Sequence, residues 1–476
     1  MSSSCKNGAS AKVTLMTSCR LRTGWKNANR DSKLAEKALV RTMTSSEELY
    51  GTLLAKRCCL MVAAVLFFLM LFQPSFLASE EVREHQPPAP RYQSAEYCRS
   101  CHPDIYKYWS QSMHAHSTSD PVFQTAFLRA TSESGEKTRE FCLSCHSPTT
   151  MITKDFDLKD DLSRQGVTCD FCHTVTDVIE GDHRNLFEFQ LGDTKFGPLT
   201  NIQPIGNLAF RYSELHTSAR LCSGCHELES VSGIKVLGTY SEWKESSYAK
   251  QGVQCQNCHM PELFNVPVVP AQIRSTANYA HAHEFLGGHS QIRLEKAASL
   301  SIVPRREGNR IFVDAFVTNE EAGHYLPTEM PTRKIVLEVS LKDEAGKTLN
   351  KRNAEYRRIL ADSEGKAILT AEHAMMQAAR VLSDNRIKPK EVRHEVFSFA
   401  NLLPLKPYLV TATLTYSFEI ATPEPNMIRS EMANAVKLVP PVGGFRYDPG
   451  IRLLVIIFLG LVLIVLFWRI ARKVRQ

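Results

Sequence analysis

The sequence predicts three parts in succession: a domain of short α-helices and loops, an antiparallel β-sandwich, and a C-terminal transmembrane helix. Three observations carry this reading. Five CxxCH motifs fall within residues 94–297, apolar and polar residues alternate over residues 298–440, and an uncharged apolar run stands near the C-terminus.

The motifs are Cys98/Cys101/His102, Cys142/Cys145/His146, Cys169/Cys172/His173, Cys222/Cys225/His226 and Cys255/Cys258/His259. CxxCH is the spacing at which two thiols add to the vinyl groups of haem c while the next residue, a histidine, is held beneath the ring as the proximal iron ligand. Histidine is only 16 of 476 residues, so its recurrence at one place after five CxxC pairs is not chance. Zinc sites built from CxxC pairs would need the pairs to combine into four-ligand sets, and five pairs leave one over. The remaining cysteines, Cys5, Cys19, Cys58 and Cys59, all precede the first motif, so none is left downstream for disulfides. Residues 94–297 are therefore read as a pentahaem cytochrome c domain holding five covalent haem c groups. Short helices and loops suffice there, because each porphyrin buries more apolar surface than any side chain.

Before this domain, Lys56 and Arg57 precede an apolar run with small residues near Ala78, the layout of a secretory signal. Residues 1–79 are read as an N-terminal extension and signal peptide or anchor, with Met43 an alternative start. Residues 80–93, "EEVREHQPPAPRYQ", form a polar linker. Export agrees with haem c attachment, which takes place outside the cytoplasm.

After residue 298 the pattern changes. "IFVDAFVTN", "RKIVLEVSLKD" and "YLVTATLTYSFEI" alternate, placing Ile335, Leu337, Val339 and Leu341 on one face and Val410, Ala412, Leu414, Tyr416, Phe418 and Ile420 on another. "DEAGK" at 343–347 reads as a turn, and a short helix is expected over Met427–Leu438. These segments imply an antiparallel β-sandwich over 298–440, followed by a linker over 441–451.

Leu453 to Trp468 is uninterrupted apolar sequence, about 24 Å as a helix, extendable by snorkelling of Arg452 and Arg469. The expected span is 452–470. Arg472, Lys473 and Arg475 in the tail, 471–476, place the C-terminus in the cytoplasm. The haem and β-domains then face the periplasm from the bacterial cytoplasmic membrane. The net charge of +7 arises at the two ends, and the body between them is slightly acidic, so nucleic acid is not an expected partner.

"CRSCHPDIYKYWSQSMHAHS", "HTSARLCSGCH", "HAHEFLGGH" and "NEEAGHYLPTEMPTRKIVLEV" resemble stretches of the multihaem c-type cytochromes related to the tetrahaem cytochrome c-554 of ammonia oxidisers and to hydroxylamine oxidoreductase. The resemblance covers roughly residues 94–420. The chain departs from that group in having five motifs rather than four or eight, no CxxCK motif, and an expected anchor at the C-terminus.

A haem carries electrons when a second ligand closes its distal side and binds small molecules when that side is open. Eleven histidines lie outside the motifs. His85, His373 and His394 are expected at the surface, which leaves His114, His116, His183, His216, His281, His283, His289 and His324. The family-like contexts point to His114 or His116, His216, His283, His289 and His324 as distal ligands, with Met113, Met260 and Met330 as weaker options.

Together these features imply a membrane-anchored periplasmic pentahaem cytochrome that transfers electrons between respiratory partners, rather than a catalyst. Its partners would be redox proteins, a membrane quinol-oxidising complex being one candidate. The alternative is an oxidoreductase acting on nitrite, hydroxylamine or a related small nitrogen species at one five-coordinate haem.

Overall fold

A computed structural model describes residues 92–269, 279–403, 405–420, 426–441, 453–454 and 456–464. The expectations for residues 1–79, nearly all of the 80–93 linker, His85, and most of residues 441–452 lie outside these described residues.

The motif-bearing region is built from short helices, Ala95–Arg99, Pro103–Ser110, Pro121–Ser134, Glu136–His146, Cys169–Cys172 and Cys255–His259 among them, and, beyond the helices and loops expected, from two-stranded ribbons such as Val175–Ile179 with Leu186–Phe189. Their starts are legible in the sequence. Pro103 and Pro121 stand at first-turn positions, where a missing N–H costs nothing. Asp120 accepts from Phe123 N at 2.9 Å and Thr168 from Phe171 N at 3.2 Å. The second, third and fifth motifs lie on helical turns and the fourth on the 3-10 turn Ala219–Gly224. One helical turn places cysteines three apart on a common face, as attachment to one porphyrin requires. The region's polypeptide core is small, centred on Tyr92, Phe171, Val175, Val178 and Leu215.

The β-domain has a core of its own. Its strands are β1 Ala298–Glu307, β2 Arg310–Asn319, β3 Arg333–Lys342, β4 Thr348–Tyr356, β5 Arg358–Ala361, β6 Arg380–Asp384, β7 Val392–Ala400, β8 Tyr408–Ile420 and β9 Asn426–Val439. One sheet runs β7–β2–β1, a second runs β4–β3–β8–β9, and β5 pairs with β6. Ile335, Leu337, Val339 and Leu341 of β3, with Val410, Ala412 and Leu414 of β8, are buried against Ile311, Val313, Ala315 and Val317 of β2. The β3–β4 turn forms at 343–347 as expected: Asp343 caps it by accepting from Ala345 N and Lys347 N.

The helix expected over Met427–Leu438 does not form. That segment is β9, paired antiparallel with β8 from Tyr408↔Val439 to Ile420↔Asn426. Its alanines, methionines and lysine favour a helix locally, but β8 would otherwise be left with an open edge, and pairing overrides local propensity. Among the described residues no helix is long and apolar enough to cross a membrane. Residues 453–454 and 456–464 are helical and fall inside the expected span, whose other residues are not described.

The two domains are joined by buried contacts. Glu242, on the helix Thr239–Lys244, forms an ion pair with Arg386 at 2.6 Å, with both side chains less than a tenth exposed. Arg129 pairs with Glu372, Ser230 donates to Ala378 O, and Val236 packs with Leu360, Ala374 and Ala378. Gly288 lies so close to Tyr416 that a Cβ would stand 2.8 Å from its hydroxyl.

Leu337 is fully buried at the centre of the sandwich. Leu337→Ala should cost about 2–5 kcal/mol in chemical denaturation, whereas Lys351→Ala, on the exposed face of β4, should stay within about 0.5 kcal/mol. Equal effects would mean that the core is not where the strands place it.

Candidate haem-binding site

Covalent attachment requires accessible thiols, and iron ligation requires one free ring nitrogen per imidazole. All ten motif cysteines, Cys98, Cys101, Cys142, Cys145, Cys169, Cys172, Cys222, Cys225, Cys255 and Cys258, are free thiols and partly buried. Each motif histidine has its Nδ1 engaged by an acceptor from elsewhere in the chain. His102 meets Val268 O at 2.8 Å, His146 meets Ser117 O at 3.1 Å, His173 meets Phe196 O at 2.6 Å and His259 meets Leu286 O at 2.7 Å. His226 meets the Glu329 carboxylate, Oε1, at 2.7 Å. A carbonyl or carboxylate oxygen can only accept, so Nδ1 carries the proton in all five rings. Nε2 is left as the nitrogen that can bind a metal, and the residues fit the haem that the motifs imply.

The distal candidates divide by placement. An imidazole nitrogen stands about 2 Å from a first-row metal, so two rings sharing an iron have centroids roughly 6 Å apart. His114 and His226 are 6.3 Å apart, and His259 and His324 are 6.4 Å apart with planes 20° from parallel. His324 therefore reaches from the β-domain to the fifth motif, while its Nδ1 is held by Tyr325 O at 3.0 Å. His216 stacks on His173 at 5.5 Å, but its Nε2 donates to Cys172 O at 2.9 Å and its buried Nδ1 has no partner. The nitrogen it can offer is Nδ1. His283 donates its Nδ1–H to His281 O and lies within electrostatic reach of His173 and His102. His289 packs edge-on against Phe418 at 5.7 Å. His116 is exposed and faces the Ser119 hydroxyl, so of the first pair His114 is the one placed against a motif.

Burial, with nearby imidazoles adding to it, pushes His114 down to about 3, and His216 and His259 to about 4. These rings are neutral at pH 7, as metal ligation requires. His226 behaves differently: burial pushes it down, but the Glu329 charge and hydrogen bond outweigh that and raise it to about 9. Burial likewise pushes Glu329 up, and His226 holds it down, at about 2.

Two loops gather these groups. In residues 112–119, Ser117 O accepts from His146 while the His114 ring stands 6.3 Å from that of His226 in the fourth motif. This loop is seated on Gly166, whose φ is 70° and whose Cβ position lies 2.3 Å from His114 O, so only glycine fits. The loop between β2 and β3 carries both His324 and Glu329. Tyr325 N and the Thr328 hydroxyl donate to Glu242, and Asn319 donates to His324 O.

The motifs abut one another. The side chain of Cys98 lies close enough to that of Cys169 to interact with it, as do Cys145 with Cys225 and Cys222 with Cys255. Cys172 lies within electrostatic reach of Cys222 and Cys225. The fourth motif is thus the junction, neighboured by the second, third and fifth, with the first reached through the third.

Three of the expected attachment residues, Cys101, Cys142 and Cys258, take no part in these junctions. The first and fifth motifs stand at the ends of the connected set, and each meets its neighbour through its first cysteine, Cys98 or Cys255, which leaves the second outside the contact. Cys101 also differs from the other motifs in its backbone. It lies beyond the end of the helix Ala95–Arg99, in a turn closed by Cys101 N and His102 N donating to Cys98 O at 3.1 and 2.9 Å, and its Sγ faces the Ser100 hydroxyl at 3.9 Å. Cys258 sits one turn after Cys255 on the helix Cys255–His259. At Cys101, Cys142 and Cys258 the expectation of a haem thiol rests on the CxxCH spacing and on the other cysteine of the pair.

Sequence reasoning named the motif residues and both His114 and His324, which the structure places beside motif histidines, but passed over Glu329. It stands five residues after His324, inside a stretch singled out for its histidine. A lone glutamate in a loop carries no spacing signal.

The model of the family "Cytochrome c554 and c-prime" matches residues 97–174. A penta-haem cytochrome c552 from Thermochromatium tepidum shares the fold, with a TM-score of 0.60 and 22% identity, over 73% of this chain and 99% of that one. The C-terminal domain of wzt, 13% identical, covers 31% of this chain and 75% of its own, with a TM-score of 0.18. A β-glucuronidase of Bifidobacterium dentium, 13% identical, covers 37% and 24%, with a TM-score of 0.15. Likenesses at that level carry no argument. No curated protein sequence matches. Residues 97–174 thus match a c-type cytochrome family, most of the chain shares the fold of a penta-haem cytochrome, and the five motif imidazoles are held with Nε2 free, as haem ligation requires.

Proposed function

We propose that the protein is a membrane-anchored periplasmic pentahaem cytochrome that relays single electrons between redox partner proteins, a membrane quinol-oxidising complex being one candidate. The observation that carries the relay is the contact between motifs, which brings all five attachment sites into one connected set. When bound, haem c supplies the one-electron iron centre. The chain's part is to hold each proximal imidazole by its Nδ1–H, to present second imidazoles such as His114 and His324, and to keep neighbouring sites adjacent. The apolar side chains of helical residues 456–464 are mostly exposed, which supports the anchor, and the basic tail supports a cytoplasmic C-terminus.

A second reading rests on His146, whose ring stacks on Phe123 at 3.9 Å rather than on another imidazole. A haem there, if left five-coordinate, would bind nitrite, hydroxylamine or a related species. Spin state separates the two readings.

Protein produced with a cytochrome c maturation system should carry five haem additions by mass and a low-spin ferric spectrum with little CO uptake after reduction. Fewer than four additions would remove the pentahaem reading, and a stoichiometric high-spin haem with turnover of nitrite or hydroxylamine would favour the enzyme. His324→Ala should convert one haem in five to high spin with no loss of haem. An unchanged low-spin spectrum would show that His324 is no ligand. A C-terminal reporter active only in the cytoplasm should work, and its failure would refute the topology.

A further inference from the structure

Four of the five motif imidazoles donate to neutral backbone carbonyls, and His226 alone donates to a carboxylate. That carboxylate belongs to Glu329 of the β-domain, 103 residues away. It is placed by construction rather than by chance contact. Glu329 takes a positive φ of 67° in the β2–β3 loop, and its side chain is only 15% exposed. The Thr239 hydroxyl donates to the same oxygen at 2.6 Å, and the loop is fixed on either side by Glu242 and Arg386. Other ways to satisfy an imidazole N–H were open to the chain, as the four carbonyl acceptors show.

A carboxylate draws the shared proton toward itself more strongly than a carbonyl does, which raises the electron density of the ring and its donor strength at Nε2. Its negative charge also favours the more positive, ferric state of a nearby iron. Both effects act in one direction. We propose that Glu329 is a positioning residue that orients His226 and lowers the reduction potential of the haem on Cys222 and Cys225, the junction of the relay, relative to what a carbonyl acceptor would give. The inference rests on the reading that this motif carries a haem bound through His226. It gives the β-domain two roles at once. One loop supplies His324 beside the fifth motif and sets the driving force at the fourth.

The test is a spectroelectrochemical titration of purified holoprotein, wild type against Glu329→Gln and Glu329→Asp, with haem content counted by mass. The couple is one electron, ferric to ferrous, supplied by the electrode through mediators. Glu329→Gln is isosteric and removes the charge. It should move about one fifth of the haem absorbance change to higher potential, leave the rest in place, and alter the low-spin EPR signal of one haem. Glu329→Asp keeps the charge but draws it back, and should shift the same component less. If Glu329→Gln fails to accumulate, the aspartate variant alone decides, by whether one component rises. Titrations that superimpose with five haems present, or all components moving together, would overturn the inference while leaving the relay intact. A wild-type protein without haem on Cys222 and Cys225 would remove both.

Discussion

An imidazole held by its Nδ1–H presents Nε2 in one tautomer and one orientation, and the five bonds that do this here tie together distant segments of the chain. The acceptor for His102 is 166 residues away, at Val268, and that for His226 is 103 residues away, at Glu329. Ser117, Phe196 and Leu286 serve the other three from 23 to 29 residues off. The polypeptide core of this region is slight, so these bonds, together with the attached porphyrins, decide which segments meet. The loops at 112–119 and 281–289 each present a carbonyl to one motif and an imidazole near another: Ser117 O to His146 and His114 beside His226 in the first, Leu286 O to His259 and His283 near His173 in the second.

The β-domain is as much a part of this arrangement as the motifs. Its sandwich is a conventional apolar core, yet the loop between β2 and β3 turns away from that core to reach two attachment sites. Glu242 and Arg386 hold the loop in place through a buried ion pair. Such a pair contributes little net stability, since desolvation offsets most of the attraction. Its geometry is demanding, however: one carboxylate accepts from Arg386, Tyr325 N and the Thr328 hydroxyl. The pair therefore fixes one relative placement of loop and helix, and with it the placement of His324 beside His259.

What could be read in the sequence follows from how local each signal is. CxxCH is a five-residue statement of chemistry, and alternation along β3 and β8 states a buried face outright, so both were legible. His324 stood out because a histidine in a cysteine-free region has few other uses. The segment 427–438 misled because its composition favours a helix, while its conformation is set by the open edge of β8, a partner that composition does not reveal. Glu329 and the carbonyls of Ser117, Phe196, Val268 and Leu286 were invisible for a related reason. Their roles depend on what stands opposite them in space, and any residue type supplies a carbonyl.

Cysteines from different motifs lie close together in the folded chain, and this bears on how the protein is made. Ten partly buried thiols gathered in one region leave less room around each than an open chain would. Attachment on an open chain, with compaction second, avoids that crowding. All five motifs precede the β2–β3 loop in the sequence, so during synthesis they emerge before the segment that closes over two of them. The order of residues along the chain thus doubles as an order of assembly, with biogenesis ending when the β-domain docks.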